Sequence, residues 1–377
     1  MAKQVLSNAV LLEGNELEIT HGYLIIRNGV IEEIGEGMPP KRGRDLKRAF
    51  ILPPFINAHT HIADSVAKDI YLGKAQPQVV GPEGAKFREL RSRAEGEVIA
   101  AVRTTLRDML YTGTLAHCDF REDGLAGIEL LHRASNPSVN SIILGRPSTA
   151  DELDKILRAS DGIGLPSLDE FELTALKRIA RKVAVAKKIF AVHVAETTDA
   201  QRASISSTGK GEVGRALELD PSFVVHGTWA TEEDFDVISR AGVPVVFCAR
   251  ANSMLGVGVP PIHLALATGA RFCLGTDNVT VCQPSMFEEL AFAWACIRRA
   301  NSGAGGEEAR ELLRAATVEP RILFDLPWGP IQKDSPATFM MLARGQNLVS
   351  LTDVHAGIVN RARADNIRAI YRNGKII

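Results

Sequence analysis

"PPFINAHTHIADS" (residues 53–65) places His59 and His61 two apart at the end of a short apolar run that Pro53 and Pro54 introduce. On a β-strand, residues i and i+2 point to the same side, about 6.5–7 Å apart along the backbone, so both imidazoles can reach one ion. The same H-x-H pattern also suits two packed histidines or two solvent-facing loop histidines. The rest of the chain has to decide.

Beyond this stretch, apolar runs alternate with helical patterns. Eight segments read as strands: "FINAHTH", "GTLAHCDF", "VNSIILGR", "GIGLPS", "IFAVHVAE", "SFVVHGTW", "VPVVFCAR" and "RFCLGTDN". Alternating strands and helices argue for an α/β chain with a parallel sheet, and eight is the number that closes a (β/α)8 TIM-type barrel. A doubly wound open sheet is the alternative. Between the strands, Val98, Val102, Leu106 and Leu110 form an i+4 stripe ending before Gly113, and Leu173, Leu176, Ala180 and Val183 form a second. Thr231 reads as an N-cap with Asp234 three residues on.

The ends of the chain differ from this middle. Residues 1–50 read as short strands with Asn28-Gly29 as a hairpin turn, and residues 330–377 read similarly with Asn373-Gly374. The barrel is expected over residues 51–329.

Composition bounds the function. The chain has 377 residues, 45% of them hydrophobic, enough for a large core. With 44 basic against 45 acidic residues, net charge points to neither a nucleic acid nor a membrane surface as partner. The N-terminus lacks a signal-peptide pattern and no stretch approaches a membrane span, so a cytoplasmic location is expected. Five cysteines without a C-x-x-C pair fit reduced thiols and give no thiolate zinc site.

In a barrel, functional groups sit at the C-terminal ends of the strands. His59 and His61 end the first strand, His193 the fifth, His226 the sixth and Asp277 the eighth. Together these make a nitrogen and oxygen donor set suited to a divalent transition metal. His21, His117, His132, His263 and His355 fall in no such arrangement and read as structural or surface residues.

The order H-x-H, "HVAE", a sixth-strand histidine and "GTD" resembles the amidohydrolase superfamily, and within it the aminohydrolase branch of cytosine, guanine and S-adenosylhomocysteine deaminases and triazine chlorohydrolases. "GTLAHCDF" stands where those proteins carry a Gly-Thr-Thr strand, and "CARANS" resembles their C-P-x-S-N strand. The resemblance implies a barrel plus a small β-sandwich formed by both termini. It also implies that His59, His61, His193 and Asp277 bind one metal, zinc or iron, that His226 hydrogen-bonds the metal-bound water, and that Glu196 is the proton shuttle.

The residues argue separately for one ion rather than two, since the fourth strand, "DGIGLPS", offers no bridging lysine, cysteine or glutamate. Such an ion lowers the pKa of a bound water from 15.7 toward about 7. The expected reaction is attack of metal-bound hydroxide on an amino-bearing carbon of an aromatic N-heterocycle (nucleobase, nucleoside or pterin-like), with Glu196, His226 and Asp277 handling protons and ammonia released. Hydrolysis of a cyclic amide, as in the imidazolone-opening relatives, is the alternative; a non-catalytic barrel binding protein would have lost a ligand, and none is lost.

The partner expected is a small heterocycle, with homo-oligomerisation left open. Its charge is a separate question. "LGR" and "CARANS" supply no acid beside Arg146 or Arg250, which makes both candidates to bind an anionic substrate group, with Asn252 as a further substrate contact. Arg121 has Asp119 and Glu122 as partners at hand, and Lys68, Lys74, Lys86 and Arg88 read as solvated loop charges. The loop after the first strand lacks the leucine-rich, Trp-containing pattern of adenosine-analogue deaminases, and Ala249 stands where proline is usual, so no particular base follows.

Overall fold

A computed structural model of the chain describes residues 3–147, 149 and 152–377. Four strands open it: β1 (Gln4–Glu13), β2 (Glu18–Arg27), β3 (Val30–Glu36) and β4 (Arg44–Leu52). Eight barrel strands follow, each where the apolar runs predict one: β5 (Phe55–His61), β6 (Thr114–Arg121), β7 (Asn140–Gly145), β8 (Gly162–Leu165), β9 (Ile189–Val194), β10 (Phe223–His226), β11 (Val245–Phe247) and β12 (Phe272–Leu274). They pair in parallel in sequence order.

Closure is made by the far end of the "RFCLGTDN" run. There β13 (Asp277–Asn278) pairs with β5, Asp277 opposite Thr60 and Asn278 opposite His61. The Thr276 backbone N–H donates to Asn57 Oδ1 (3.0 Å) and the Asn57 amide to Thr276 Oγ1 (2.7 Å). A Cβ at Gly275 would lie 2.7 Å from the Cβ of His59, so glycine alone lets the eighth strand come this close to the first. The closure seam therefore carries His59, His61 and Asp277 side by side.

The chain ends with β14 (Phe339–Leu342), β15 (Ile367–Arg372) and β16 (Lys375–Ile376). Strands from both termini join one seven-stranded sheet in the order β16-β15-β14-β4-β1-β2-β3. Asn28-Gly29 and Asn373-Gly374 turn their hairpins with positive φ at all four residues, as the type I′ geometry requires. Side chains alternate between two cores with the period of two that a strand imposes. Val10, Leu12, Phe50, Leu52, Met340 and Leu342 join the barrel core, while Leu11, Ile51, Phe339 and Met341 join a separate cluster.

The segment after β5, expected as a loop, contains short helices: α1 (Gln76–Val80) and α2 (Ala85–Ser92), followed by the longer α3 (Glu95–Tyr111). Val98, Val102 and Leu106 of α3 are buried as the stripe predicts. In the second stripe Leu176 and Val183 are buried, but Leu173, at the first position of its helix, is exposed. Among the described residues no helix is long and apolar enough to cross a membrane.

Candidate active site

His59, His61, His193, His226 and Asp277 come from four strands, β5, β9, β10 and β13, and meet above the barrel core. Asp277 Oδ1 lies 3.3 Å from His59 Nε2 and 3.5 Å from His61 Nε2. The His59 ring centroid is 4.9 Å from that of His193 and 5.7 Å from that of His226. Phe120 from β6 packs edge-on beneath, 4.4 Å from His59 and 5.0 Å from His193, and gives the cluster an apolar floor. The backbone is left-handed at Ala195, His226 and Asp277, none of them glycine. Such conformations cost about 1–3 kcal/mol each and persist where the surroundings enforce them.

Each imidazole is oriented differently. His193 Nδ1–H donates to the Leu165 carbonyl at the end of β8 (2.8 Å), and His61 Nδ1–H to Glu122 Oε1 (2.8 Å). His226 Nδ1 pairs with the Asn252 side-chain amide, 3.1 Å from its nitrogen. His59 stands apart: it is fully buried and neither ring nitrogen has a hydrogen-bond partner among the described residues.

His117, on the neighbouring strand, is the control for that observation. It is equally buried, yet its Nδ1 meets Thr60 Oγ1 (3.0 Å) and its Nε2 meets Ser141 Oγ (2.8 Å), the satisfied structural histidine the sequence predicts. Burial pushes both His59 and His117 down to about 4, so each is neutral at pH 7. Burial likewise holds His193 well below its usual value. For Asp277 burial works toward protonation, but His59 and His61 outweigh it and keep the carboxyl far below the carboxylate range. Neutral imidazoles around an ionised carboxylate are a donor set for a cation. Tetrahedral donors about 2.0–2.1 Å from a zinc ion stand roughly 3.3 Å from one another, which matches the Asp277–His59 separation.

Glu196 reaches over the cluster, with Oε2 3.8 Å from His226 Nε2 and Oε1 accepting from Gln76 Nε2 of α1 (3.1 Å). His61, His193, His226, Asp277, Glu196 and Gln76 line a chamber of about 110 Å³, and Phe87, Glu122 and Arg146 line both it and a neighbouring cavity of about 370 Å³.

Two expectations about charge are corrected. Arg146 and Arg250 do find acids, contributed by other elements: Arg146 pairs with Glu170, and Arg250 with Glu288 and the Gln283 carbonyl. Arg146 lines the chamber's outer edge with its charge already met, and Arg250 is directed away from it. Lys86 is not a solvated loop lysine but is 2% exposed, its Nζ 2.6 Å from Glu122 Oε1. Asn252 is buried behind His226 rather than presented to the chamber. Arg121 pairs with Asp119 and Glu122, as read. Glu122, Gln76 and Lys86 are site residues that the sequence reading missed. The Arg121-Glu122 pair at the end of the strand that also carries His117 and Asp119 was the one available signal, and Lys86 left none.

The match to known proteins is extensive. The model of the amidohydrolase family matches residues 50–377. The chain belongs to the amidohydrolase family. It is 32% identical to a Methanothermobacter thermautotrophicus protein named "Putative aminohydrolase", over 99% of this chain and 98% of that protein. It is 24% identical to the 5-methylthioadenosine/S-adenosylhomocysteine deaminase of Pyrococcus furiosus, over 99% and 94%. Among solved structures, the zinc complex of an atrazine chlorohydrolase from Arthrobacter aurescens superposes with a TM-score of 0.82 at 16% identity, over 99% and 94%, a likeness of fold. The barrel of this amidohydrolase is thus the TIM-type barrel expected of it.

Proposed function

We propose that this amidohydrolase is a hydrolytic deaminase of an aromatic N-heterocycle (a nucleobase, nucleoside or pterin-like ring) that works with one divalent ion, zinc or iron. His59, His61, His193 and Asp277 would hold the ion. The observation that carries the reading is His59: a fully buried imidazole whose Nδ1 has no partner and whose Nε2 faces only Asp277 Oδ1, 3.3 Å away and short of hydrogen-bond geometry, is costly unless something outside the protein chain bonds it. Its neighbours Asp277, His61 and His193 are the donors such an ion needs. When bound, the ion supplies a water nucleophile at neutral pH.

The remaining steps belong to the chain. Asp277 and His226 would receive and orient the proton of the attacking water. Glu196, held at Oε1 by Gln76 and facing the chamber with Oε2, would protonate the ring nitrogen beside the reacting carbon. Glu196 then takes the remaining O–H proton of the added water as the carbonyl forms and passes it to the departing amino group, and the proton held by Asp277 restores Glu196, so that one water is consumed and ammonia leaves. The chamber, with the larger cavity next to it, suits a planar ring at its base with any substituent directed outward. We read residues 51–329 as the catalytic barrel and residues 1–50 with 330–377 as a composite β unit, the counterpart of the family's small sandwich.

The test is elemental analysis of the purified chain together with an ammonia-release screen across nucleobases, nucleosides, pterins and triazines. One equivalent of a first-row metal and ammonia from a heterocycle are expected. Two tightly bound ions, both needed for activity, or a ring opened without ammonia would defeat the proposal.

A further inference from the structure

Lys86 is carried by α2, in the segment between β5 and α3, yet its ammonium lies deep in the barrel mouth. Its Nζ donates to Glu122 Oε1 (2.6 Å) and to Asn278 Oδ1 (3.0 Å) and stands 3.7 Å from Asp64 Oδ2, an oxygen with no hydrogen-bond partner of its own. Both acceptors touch residues of the ion cluster. Glu122 Oε1 also receives the His61 Nδ1–H (2.8 Å), and the Asn278 Nδ2 donates to Asp277 Oδ1 (2.8 Å). One ammonium thus sets the free side of two donors. It holds the carboxylate that directs the His61 Nε2 lone pair toward Asp277, and it fixes which end of the Asn278 amide faces Asp277.

Glu122 is buried, with Lys86 and His61 meeting its Oε1 and Arg121 meeting its Oε2. Withdrawing the ammonium would leave Glu122 with one cation, Arg121, and would take away the amine that stands 3.7 Å from Asp64. His193 offers the contrast, since its Nδ1 is held by a backbone carbonyl of the barrel itself.

We propose that Lys86 and Glu122 are positioning residues for His61 and Asp277, and that through them the seating of α2 and the occupation of the ion site stabilise each other. The proposal rests on the reading of the cluster as an ion site. An ion that draws electron density from His61 Nε2 makes its Nδ1–H a stronger donor to Glu122, and the carboxylate in turn raises the basicity of the ring. The coupling is reciprocal: whatever tightens ion binding when α2 is seated must hold α2 down when the ion binds.

Two measurements on the full-length chain test this, with cobalt(II) as the probe. In chelator competition, Lys86→Met and Glu122→Gln each weaken cobalt affinity by about 10–100-fold, the usual range for a residue that orients a ligand. The double variant loses less than the product of the two single losses, because both substitutions act on His61 through the same carboxylate. In the unsubstituted protein, hydrogen exchange of the amides of Ala85–Ser92 slows on cobalt loading while that of the terminal sheet does not change. Affinities unchanged in stably folded variants, or variants that only lower the melting temperature of the metal-free protein, overturn the coupling. If the variants fail to fold, the exchange experiment decides alone, and equal exchange with and without cobalt overturns it. A chain that takes up no cobalt overturns the ion-site reading and this proposal together, whereas one equivalent bound without these effects overturns only this one.

Discussion

The rim of the barrel and the terminal sheet are both buried, but with opposite chemistry. In the sheet's separate cluster Leu11, Leu24, Ile51, Phe339, Met341 and Tyr371 are buried side chains that meet in register, and Phe339 stacks on its cross-strand partner Tyr371 with ring centroids 4.5 Å apart. At the rim the buried groups are imidazoles, carboxylates and an ammonium. The backbone separates the two regions as well. Left-handed residues in the sheet, Asn8, Lys47 and Arg48, are exposed where the pairing register shifts, whereas Ala195, His226 and Asp277 at the rim are buried. Strain in the sheet accommodates a bulge; strain at the rim aims side chains at one point. Stability and chemistry should therefore be separable by substitution.

The largest effect tests the stability side. Phe339→Ala removes a fully buried ring and should cost about 3–5 kcal/mol, read from denaturant unfolding. Metal content and kcat per folded molecule should be unchanged. A loss of kcat in protein that is still folded would show that the sheet also shapes the site.

The next substitution reverses the pattern. Glu196→Gln should lower kcat by roughly 10²-fold or more, the usual scale for a lost general acid-base group, and leave the melting temperature and bound metal as they were. A metal-replete variant with unchanged kcat would move the proton shuttle to another group.

Legibility in the sequence follows the same division. The barrel strands and the cluster of His59, His61, His193, His226 and Asp277 at their ends could be read because a strand's pattern is local: the apolar run, the period of two and the polar residue where it stops. The two hairpins could be read because Asn-Gly dictates its own turn. The partners of charged groups could not, since Arg146 meets Glu170, Arg250 meets Glu288 and Lys86 meets Glu122 only once separate elements are packed together. Leu173 fits its helical stripe yet is exposed, because helical spacing alone does not say where the core ends. The residues themselves did not show that β14 pairs with β4; only the resemblance brought both ends of the chain together.

A smaller effect concerns a buried acid outside the cluster. Glu289 caps the helix Ala249–Met254 by accepting the Arg250 backbone N–H (3.2 Å), while its other oxygen has no partner. Burial pushes its carboxyl up from 4.5 to about 7. Between those values the folded chain holds a proton that the unfolded chain has lost. The contribution of this group to stability is therefore fully present below about pH 4.5 and is lost as pH rises through about 7. Glu289→Gln should flatten that decline and gain about 1–3 kcal/mol at pH 8 relative to pH 5. Asp64, pushed up to about 7 by its own burial, keeps a residual slope in the same window. Parallel pH profiles for the two proteins would mean that Glu289 is ionised throughout.

The smallest effect probes a rim residue that sequence position alone would place in the site. Arg250 follows the seventh barrel strand, where a guanidinium facing the chamber would favour an anionic substrate. Its side chain instead donates to the Gln283 carbonyl (3.0 Å) and pairs with Glu288, a half-exposed carboxylate on the helix Met286–Ala300. A pair so open to solvent contributes about 1 kcal/mol or less. Arg250→Met should therefore lower stability by no more than that and leave KM unchanged for charged and uncharged heterocycles alike. If KM for an anionic heterocycle rose while that for its neutral analogue did not, Arg250 would have to leave Glu288 when substrate arrives, and the charged part of the rim would extend further round the barrel than the resting structure draws it.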